Sequence, residues 1–174
     1  MMKYLVTGST GFVGSRLLGF LNTIKCDVRL LSRSEISDHE TVVCNLGKDR
    51  IPEHTLESVD TVFHLAGFAH DMQNSSKVED LYRAINVEAT VELARLAVEK
   101  GVKRFVFVSS IKAGGLPLSE YCASEGDQND PEGVYGKTKR EAELKLLKIG
   151  KESGMHVSIV RPSLVYGPNA KGNL

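Results

Sequence analysis

The stretch KYLVTGSTGFVG (residues 3–14) decides the architecture. Its first half is a short apolar, β-branched run, the pattern of a strand covered on both faces. Its second half places glycines at 8, 11 and 14 and runs into GFVGSRLLGFLN (11–22), where apolar residues recur at helical spacing. In a strand–turn–helix unit each glycine has a mechanical task. Gly8 permits the tight turn, Gly11 lets the backbone approach a diphosphate, and Gly14 packs the helix against the strand. The helix start adds free N–H groups and the positive end of a dipole, which suit the phosphates of a dinucleotide. The plainer alternative is a tight turn that holds nothing.

The same alternation continues along the chain. DVRLLS (27–32), TVVCNL (41–46), VDTVFHLAG (59–67), VKRFVFVSS (102–110) and HVSIVRPS (156–163) read as further strands. KVEDLYRAINVEATVELARLAVEKG (77–101) and VYGKTKREAELKLLKIGKESG (134–154) read as long helices, each closed by a glycine, with a polar loop at 112–132. Strand–helix alternation predicts an α/β chain: a Rossmann-like, doubly wound parallel sheet with helices on both faces and strand order 3-2-1-4-5-6. One dinucleotide-binding domain then spans residues 1–174. Its ligand crevice lies at the carboxyl ends of the strands.

Composition narrows the function. Lys and Arg number 22, as do Asp and Glu, so the net charge is zero. Neither a nucleic acid nor a membrane surface is expected as a partner, since both select a basic excess. No apolar run reaches the length of a membrane span, and the first residues lack the pattern of a signal peptide, so a cytoplasmic protein is expected. Cys26, Cys44 and Cys122 are an odd count without paired spacing and read as reduced, packed thiols. His54, His64 and His70 have no metal-ligand spacing, and no metal site is expected. His64, at a strand end, is expected either packed or near the diphosphate.

Two further features bear on chemistry. Folds that prefer NAD carry an acidic residue at the end of the second strand, for the ribose hydroxyls. Here Ser32 and Arg33 stand there. A hydroxyl followed by a guanidinium suits a ribose 2′-phosphate, so the cofactor is read as NAD or NADP, with NADP slightly favoured. In the alternative, Arg33 is a solvated loop residue. In VYGKTKR (134–140), Tyr135 and Lys139 are four residues apart, which fits an amphipathic turn or an acid–base pair. A free phenol, with a pKa of about 10, is a poor base at neutral pH, and a lysine one turn along the same face would favour phenolate.

With HLAG (64–67), VFVSS (106–110), YGKTK (135–139) and RPSLVYGP (161–168) following the glycine loop in order, the chain resembles the extended short-chain dehydrogenase/reductases. The group is that of NAD(P)-dependent nucleotide-sugar epimerases and dehydratases, and the likeness runs over nearly the whole chain. HLAGFAHDM and FVFVSSIKAGG are most similar to UDP-hexosamine 4-epimerases and 4-keto reductases. The resemblance implies Tyr135 as the acid–base, Lys139 as its partner and holder of the nicotinamide ribose, and Ser110 as the hydroxyl sharing the substrate oxygen, with Ser109 beside it. It also implies Phe12 and Val13 under the diphosphate and Asn45 and Leu46 beside the adenine. Leu65, Ala66 and Gly67 would line the cofactor, Tyr166 would face the nicotinamide, and Asn86 would be structural.

The 4,6-dehydratases of this group need an Asp-Glu pair just after the catalytic hydroxyl. This chain has Ile111 and Lys112 there, which excludes that chemistry. The expectation is hydride transfer at C4 of a UDP-hexose or UDP-hexosamine, as in a UDP-glucose 4-epimerase or a 4-keto reductase. Two alternatives are an NADP-dependent reductase of another carbonyl compound and a non-catalytic dinucleotide-binding regulator. His70 and Lys112 either reach substrate or are solvated. Family members are usually much longer, with a carboxyl-terminal part supplying most of the sugar-nucleotide pocket. This chain is therefore expected to lack that substrate-binding domain, to bind cofactor, and to turn over poorly alone. Helices 77–101 and 134–154 are expected to form a homodimer interface, or else each buries a single face.

Overall fold

Leu5 and Val6 are adjacent and both fully buried, so the first strand, β1 (Lys3–Thr7), is covered on both faces. Leu5 belongs to the larger core and Val6 to a smaller one on the opposite side of the sheet. In the computed structural model, which describes residues 1–69, 76–115, 122, 124–168 and 170, β1 sits in the middle of a six-stranded sheet. The other strands are β2 (Asp27–Ser32), β3 (Glu40–Val43), β4 (Thr61–His64), β5 (Arg104–Val108) and β6 (His156–Val160). Every neighbouring pair is parallel, and the order is β3-β2-β1-β4-β5-β6, as the alternation predicts.

Helix α1 (Phe12–Leu21) closes the smaller core, packing Leu17, Leu18 and Leu21 on Val6 and Leu30. Helices α3 (Ala89–Glu99) and α4 (Gly133–Ser153) lie on the side of the larger core, with α2 (Ser76–Arg83) against α4. There Leu93, Ala97, Ala142 and Leu146 meet Leu5, Val62, Phe105 and Phe107. Full burial of a Leu or Phe side chain is worth about 1.5–3 kcal/mol, so this face carries most of the packing energy.

The strands are shorter than their apolar runs. β4 ends at His64 rather than Gly67, because β1 turns away at Gly8 and only Leu65 N–H still finds a carbonyl, that of Thr7, at 3.2 Å. β3 ends at Val43, and Asn45 instead enters a turn in which its N–H donates to Asp49 Oδ2 at 2.7 Å. The helix read as unbroken over 77–101 contains a π turn, Ala84–Glu88, between α2 and α3. Asn86, 1% exposed, sits in that turn. Its Oδ1 accepts from Phe68 N–H at 2.8 Å, and its Nδ2 donates to Phe68 O at 3.0 Å and to Thr138 Oγ1 at 3.2 Å.

One side chain therefore stitches the loop after β4 to α4. Replacing it removes both of these hydrogen bonds to the Phe68 backbone and the one to Thr138, each worth about 0.5–1.5 kcal/mol. Asn86→Ala is expected to lower the urea midpoint by the equivalent of about 2 kcal/mol or more with an unchanged m-value; a midpoint within error of the parent would contradict this role.

Candidate active site

The glycine loop turns where β1 ends. Gly8 has φ +70°, and a Cβ there would lie 2.6 Å from Ala66 N, so both the backbone angle and the neighbouring loop exclude a side chain. Gly11 N–H donates to Gly8 O at 3.0 Å, which tightens the turn into α1. Gly11 is the N-cap of α1, and no side chain caps the helix or places an acid in its first turn. Its leading N–H groups are thus left to whatever lies in front. Ser9, 3% exposed, holds a buried hydroxyl without a protein partner.

Across the crevice, α4 brings Tyr135 and Lys139 against the end of β5. Lys139 is 2% exposed, and Nζ donates to Val108 O at 3.0 Å and stands 4.5 Å from the centroid of the Phe107 ring. A Cβ on Gly67 would come within 3.1 Å of that ammonium, so the glycine keeps its place open. Burial pushes the Lys139 ammonium down to about 8, while the negative charge of Glu143 pulls the other way. Tyr135 lies beside Ser110 and is flanked by the Tyr82 ring, with centroids 6.3 Å apart.

The sequence suggests that Lys139 draws Tyr135 toward phenolate. In the structure burial holds the phenol above its ordinary value, and the opposing influence comes from the Ser110 side chain. Lys139 is instead turned to the β5 carbonyl and the Gly67 loop.

Of the two places open to His64, the structure shows the packed one. His64 is fully buried, stacked on Phe107 with centroids 5.7 Å apart, and bonded to Thr7 Oγ1 at 2.7 Å and Thr90 Oγ1 at 2.8 Å. Burial, helped by the charge of Lys139, lowers its pKa to about 3, so the ring is neutral and donates to one threonine while accepting from the other. Thr7 Oγ1 also accepts from Ala66 N–H at 3.1 Å, which ties the histidine to the loop lining the crevice.

Other candidates are spread along the strand ends. Ser32 closes β2, and Arg33 is exposed just beyond it. Asn45 and Leu46 follow β3 half-buried, with Leu46 packed partly on the larger core, and Leu65 packs on the smaller one. Ser109 is 4% exposed with an unpartnered Oγ, whereas Ser110 Oγ accepts from Lys112 N–H at 3.3 Å. Val13 is exposed on α1. Phe12 lies beneath the Arg16 guanidinium, 3.6 Å from its ring centroid, and Arg16 also donates to Pro168 O at 2.5 Å. Tyr166 stands 73% exposed, away from the packed cluster. His70 falls outside the described residues.

Two charged residues of the site do not announce themselves in the sequence. Glu143 is 2% exposed and receives two bonds from Arg161, Nε to Oε1 at 2.9 Å and Nη2 to Oε2 at 2.5 Å. The signal was a spacing: Tyr135, Lys139 and Glu143 are four residues apart on one helix face.

The donor set at the strand ends fits a dinucleotide: uncapped helix N–H groups, an orphaned serine hydroxyl, a glycine held open above a buried ammonium, and a second orphaned hydroxyl on Ser109. Among the described residues no group of His, Cys, Asp and Glu could hold a metal ion, and no helix is long and apolar enough to cross a membrane.

The family model for the NAD dependent epimerase/dehydratase family matches residues 4–174. The chain belongs to this family. It is 39% identical over 176 residues to a UDP-glucose 4-epimerase of Vibrio cholerae, covering 97% of this chain and 53% of that protein. A solved short-chain dehydrogenase/reductase superfamily protein from Agrobacterium tumefaciens, with bound NAD, superposes with a TM-score of 0.81 at 30% identity. That match covers 91% of this chain and 48% of the other. MoeE5, solved in complex with UDP-glucose and NAD, superposes with a TM-score of 0.77 at 29% identity, over 90% of this chain and 52% of its own. The chain thus spans about half the length of the relatives it matches.

In this epimerase/dehydratase chain the ammonium of Lys139 is held at a thermodynamic cost. Its folded pKa, about 8, lies below the ordinary 10.5. Between those values the unfolded chain binds more protons than the folded one, so this residue's contribution to stability rises with pH there and its cost is full below pH 8. Lys139→Met is accordingly expected to raise Tm at pH 7 by a few degrees, with the difference narrowing toward pH 10. Scanning calorimetry across that range checks it; a lower Tm at pH 7 would show that the lysine's contacts outweigh its desolvation.

Proposed function

We propose that the chain is the cofactor-binding and acid–base half of an NAD(P)-dependent enzyme that transfers hydride at C4 of a UDP-linked hexose or hexosamine, as a 4-epimerase or a 4-keto reductase. The observation that carries this reading is the gathering of Ser110, Tyr135 and buried Lys139 at the carboxyl end of β5, where Ser110 eases the phenol downward against its burial and Lys139 is bonded to Val108 O. The UDP-glucose 4-epimerase relative and the neighbour holding UDP-glucose with NAD support the substrate class.

Ser110 and Tyr135 would both bond the C4 oxygen, and Tyr135, once its own proton is lost, would take the alcohol's proton at Oη as the ketone forms and return it when the ketone is reduced. A bound dinucleotide supplies the hydride acceptor and returns the hydride. Because burial raises the Tyr135 phenol and Ser110 opposes that rise, Ser110 is the side chain on this protein that eases loss of the phenolic proton. Lys139 would grip the nicotinamide ribose. The α1 N-terminus and the Gly8–Gly14 loop would hold the diphosphate. Ile111 and Lys112, where a 4,6-dehydratase has its acids, leave the reaction at C4. A homodimer through the outer faces of α3 and α4 is part of this reading, supported by an outward groove of about 640 Å³ with Val91, Val98 and Ile149 along it.

The choice of dinucleotide rests on Arg33, exposed just past β2. Calorimetric titration of this chain with NADP(H) and NAD(H) side by side is expected to show NADP(H) binding more tightly, and Arg33→Ala to weaken NADP(H) about tenfold while sparing NAD(H). Tighter NAD(H) binding would make Arg33 a bystander and favour the epimerase; silence with both would overturn the cofactor reading. In a full-length protein carrying this chain, Tyr135→Phe should lower kcat on UDP-hexose by about a hundredfold or more. Unchanged turnover would remove Tyr135 from the chemistry.

A further inference from the structure

Among the described residues placed around Lys139, one carries a charge opposite to its own. From β5 come the Val108 carbonyl and the Phe107 ring, and from β4 the His64 imidazole, which is neutral. From the π turn comes the Asn86 amide, which, like the Lys139 ammonium, borders the space above Gly67. From α4 itself come Tyr135, one turn before, and Glu143, one turn after. Tyr135 is a neutral phenol, held above its ordinary value. Glu143 is the anion among them.

Glu143 is not an ordinary surface carboxylate that happens to be near. It is as buried as the lysine, and a buried carboxylate needs partners of its own. Arg161, the first residue after β6, supplies them by holding both oxygens in a side-on pair. Arg161 is itself fixed: its Nη2 also donates to Gln128 Oε1 at 3.1 Å, in the loop before α4, and its guanidinium lies close over Gly114. Contacts thus run from that loop through Arg161 to Glu143, which stands one helical turn from Lys139 on the same buried face of α4.

We propose that Glu143 is a positioning residue for Lys139: clamped by Arg161 and one helical turn along the same buried face, it is the countercharge that holds the lysine as an ammonium. This extends the role given to Lys139 under the proposed function and rests on that reading only for its catalytic meaning. The electrostatic claim concerns the chain without any ligand.

The test follows the Lys139 side chain by NMR, using lysine labelled at Cε and Nζ, in this chain without dinucleotide. Glu143→Gln is expected to move the Lys139 titration midpoint down by about one unit or more, the size of effect of an adjacent opposite charge. Glu143→Asp should recover most of that shift. A Glu143→Gln protein that is folded and merely less stable, with the Lys139 midpoint unmoved, would reduce Glu143 to a structural partner of Arg161 and overturn the proposal. Should that variant not fold, the parent chain decides the matter. There the Glu143 carboxyl carbon is expected to show an inflection at the Lys139 midpoint, and a flat Glu143 signal through that pH range overturns the proposal. Since no cofactor enters, a failed dinucleotide titration leaves this result intact, and a failure here leaves that titration intact.

Discussion

An ammonium ion buried between a sheet end and a helix constrains everything near it. Lys139 has three N–H donors and little water, so the surroundings must supply an acceptor, a polarisable face and a negative charge. β5 contributes the first two through Val108 and Phe107, and α4 contributes the third through Glu143. Gly67 yields the space. The crevice is therefore built around one costly group, in keeping with the general finding that strained or destabilised positions collect where chemistry is done.

The sheet decides where that group can sit. β1 is paired on one side with β2 and on the other with β4, so the chain reverses its direction of winding there and leaves a crevice beyond the strand ends. The glycine loop leaves from β1, the Ala66–Phe68 loop from β4 and the Ser109–Ser110 segment from β5. Thr7, His64 and Thr90 bind two of these layers to α3 by neutral hydrogen bonds. Asn86 binds the third contact, between the β4 loop and α4. The polar atoms in this region are nearly all paired within the protein; the hydroxyls of Ser9 and Ser109 are exceptions, and both lie in segments facing the crevice.

How much of this could be read in the residues follows from the range of the forces involved. Strand order was legible because alternation and crossover handedness leave few topologies, and the loop at Gly8–Gly14 was legible because only glycine tolerates such backbone approach. Strand ends were not. Whether Cys44–Leu46 continue β3 depends on Asp49 capping the turn, and whether Ala66 continues β4 depends on β1 turning away. The π turn escaped because one extra residue in a helix barely disturbs its periodicity. Tyr135, Lys139 and Ser110 stood out by motif. Glu143 did not, since a glutamate on a lysine-rich helix reads as solvated until Arg161, from beyond the next strand, is seen to cover it. Tyr166, placed at the nicotinamide by resemblance, is 73% exposed, with the neighbouring Gly167 beside the Phe12 ring.

The bond from Arg16 to Pro168 joins residues 152 apart in sequence. It has a consequence in time. β1 and α1 are made before β4 and β6, so β1 gains its second neighbour only when β4 has been made, and Arg16 finds its carbonyl only after β6 has left the ribosome. Closing loops of that length is slow, because the entropy of bringing distant segments together is spent before the contacts repay it. The glycine loop, though written within the first fourteen residues, thus gains its full set of neighbours only when segments from across most of the chain have come together.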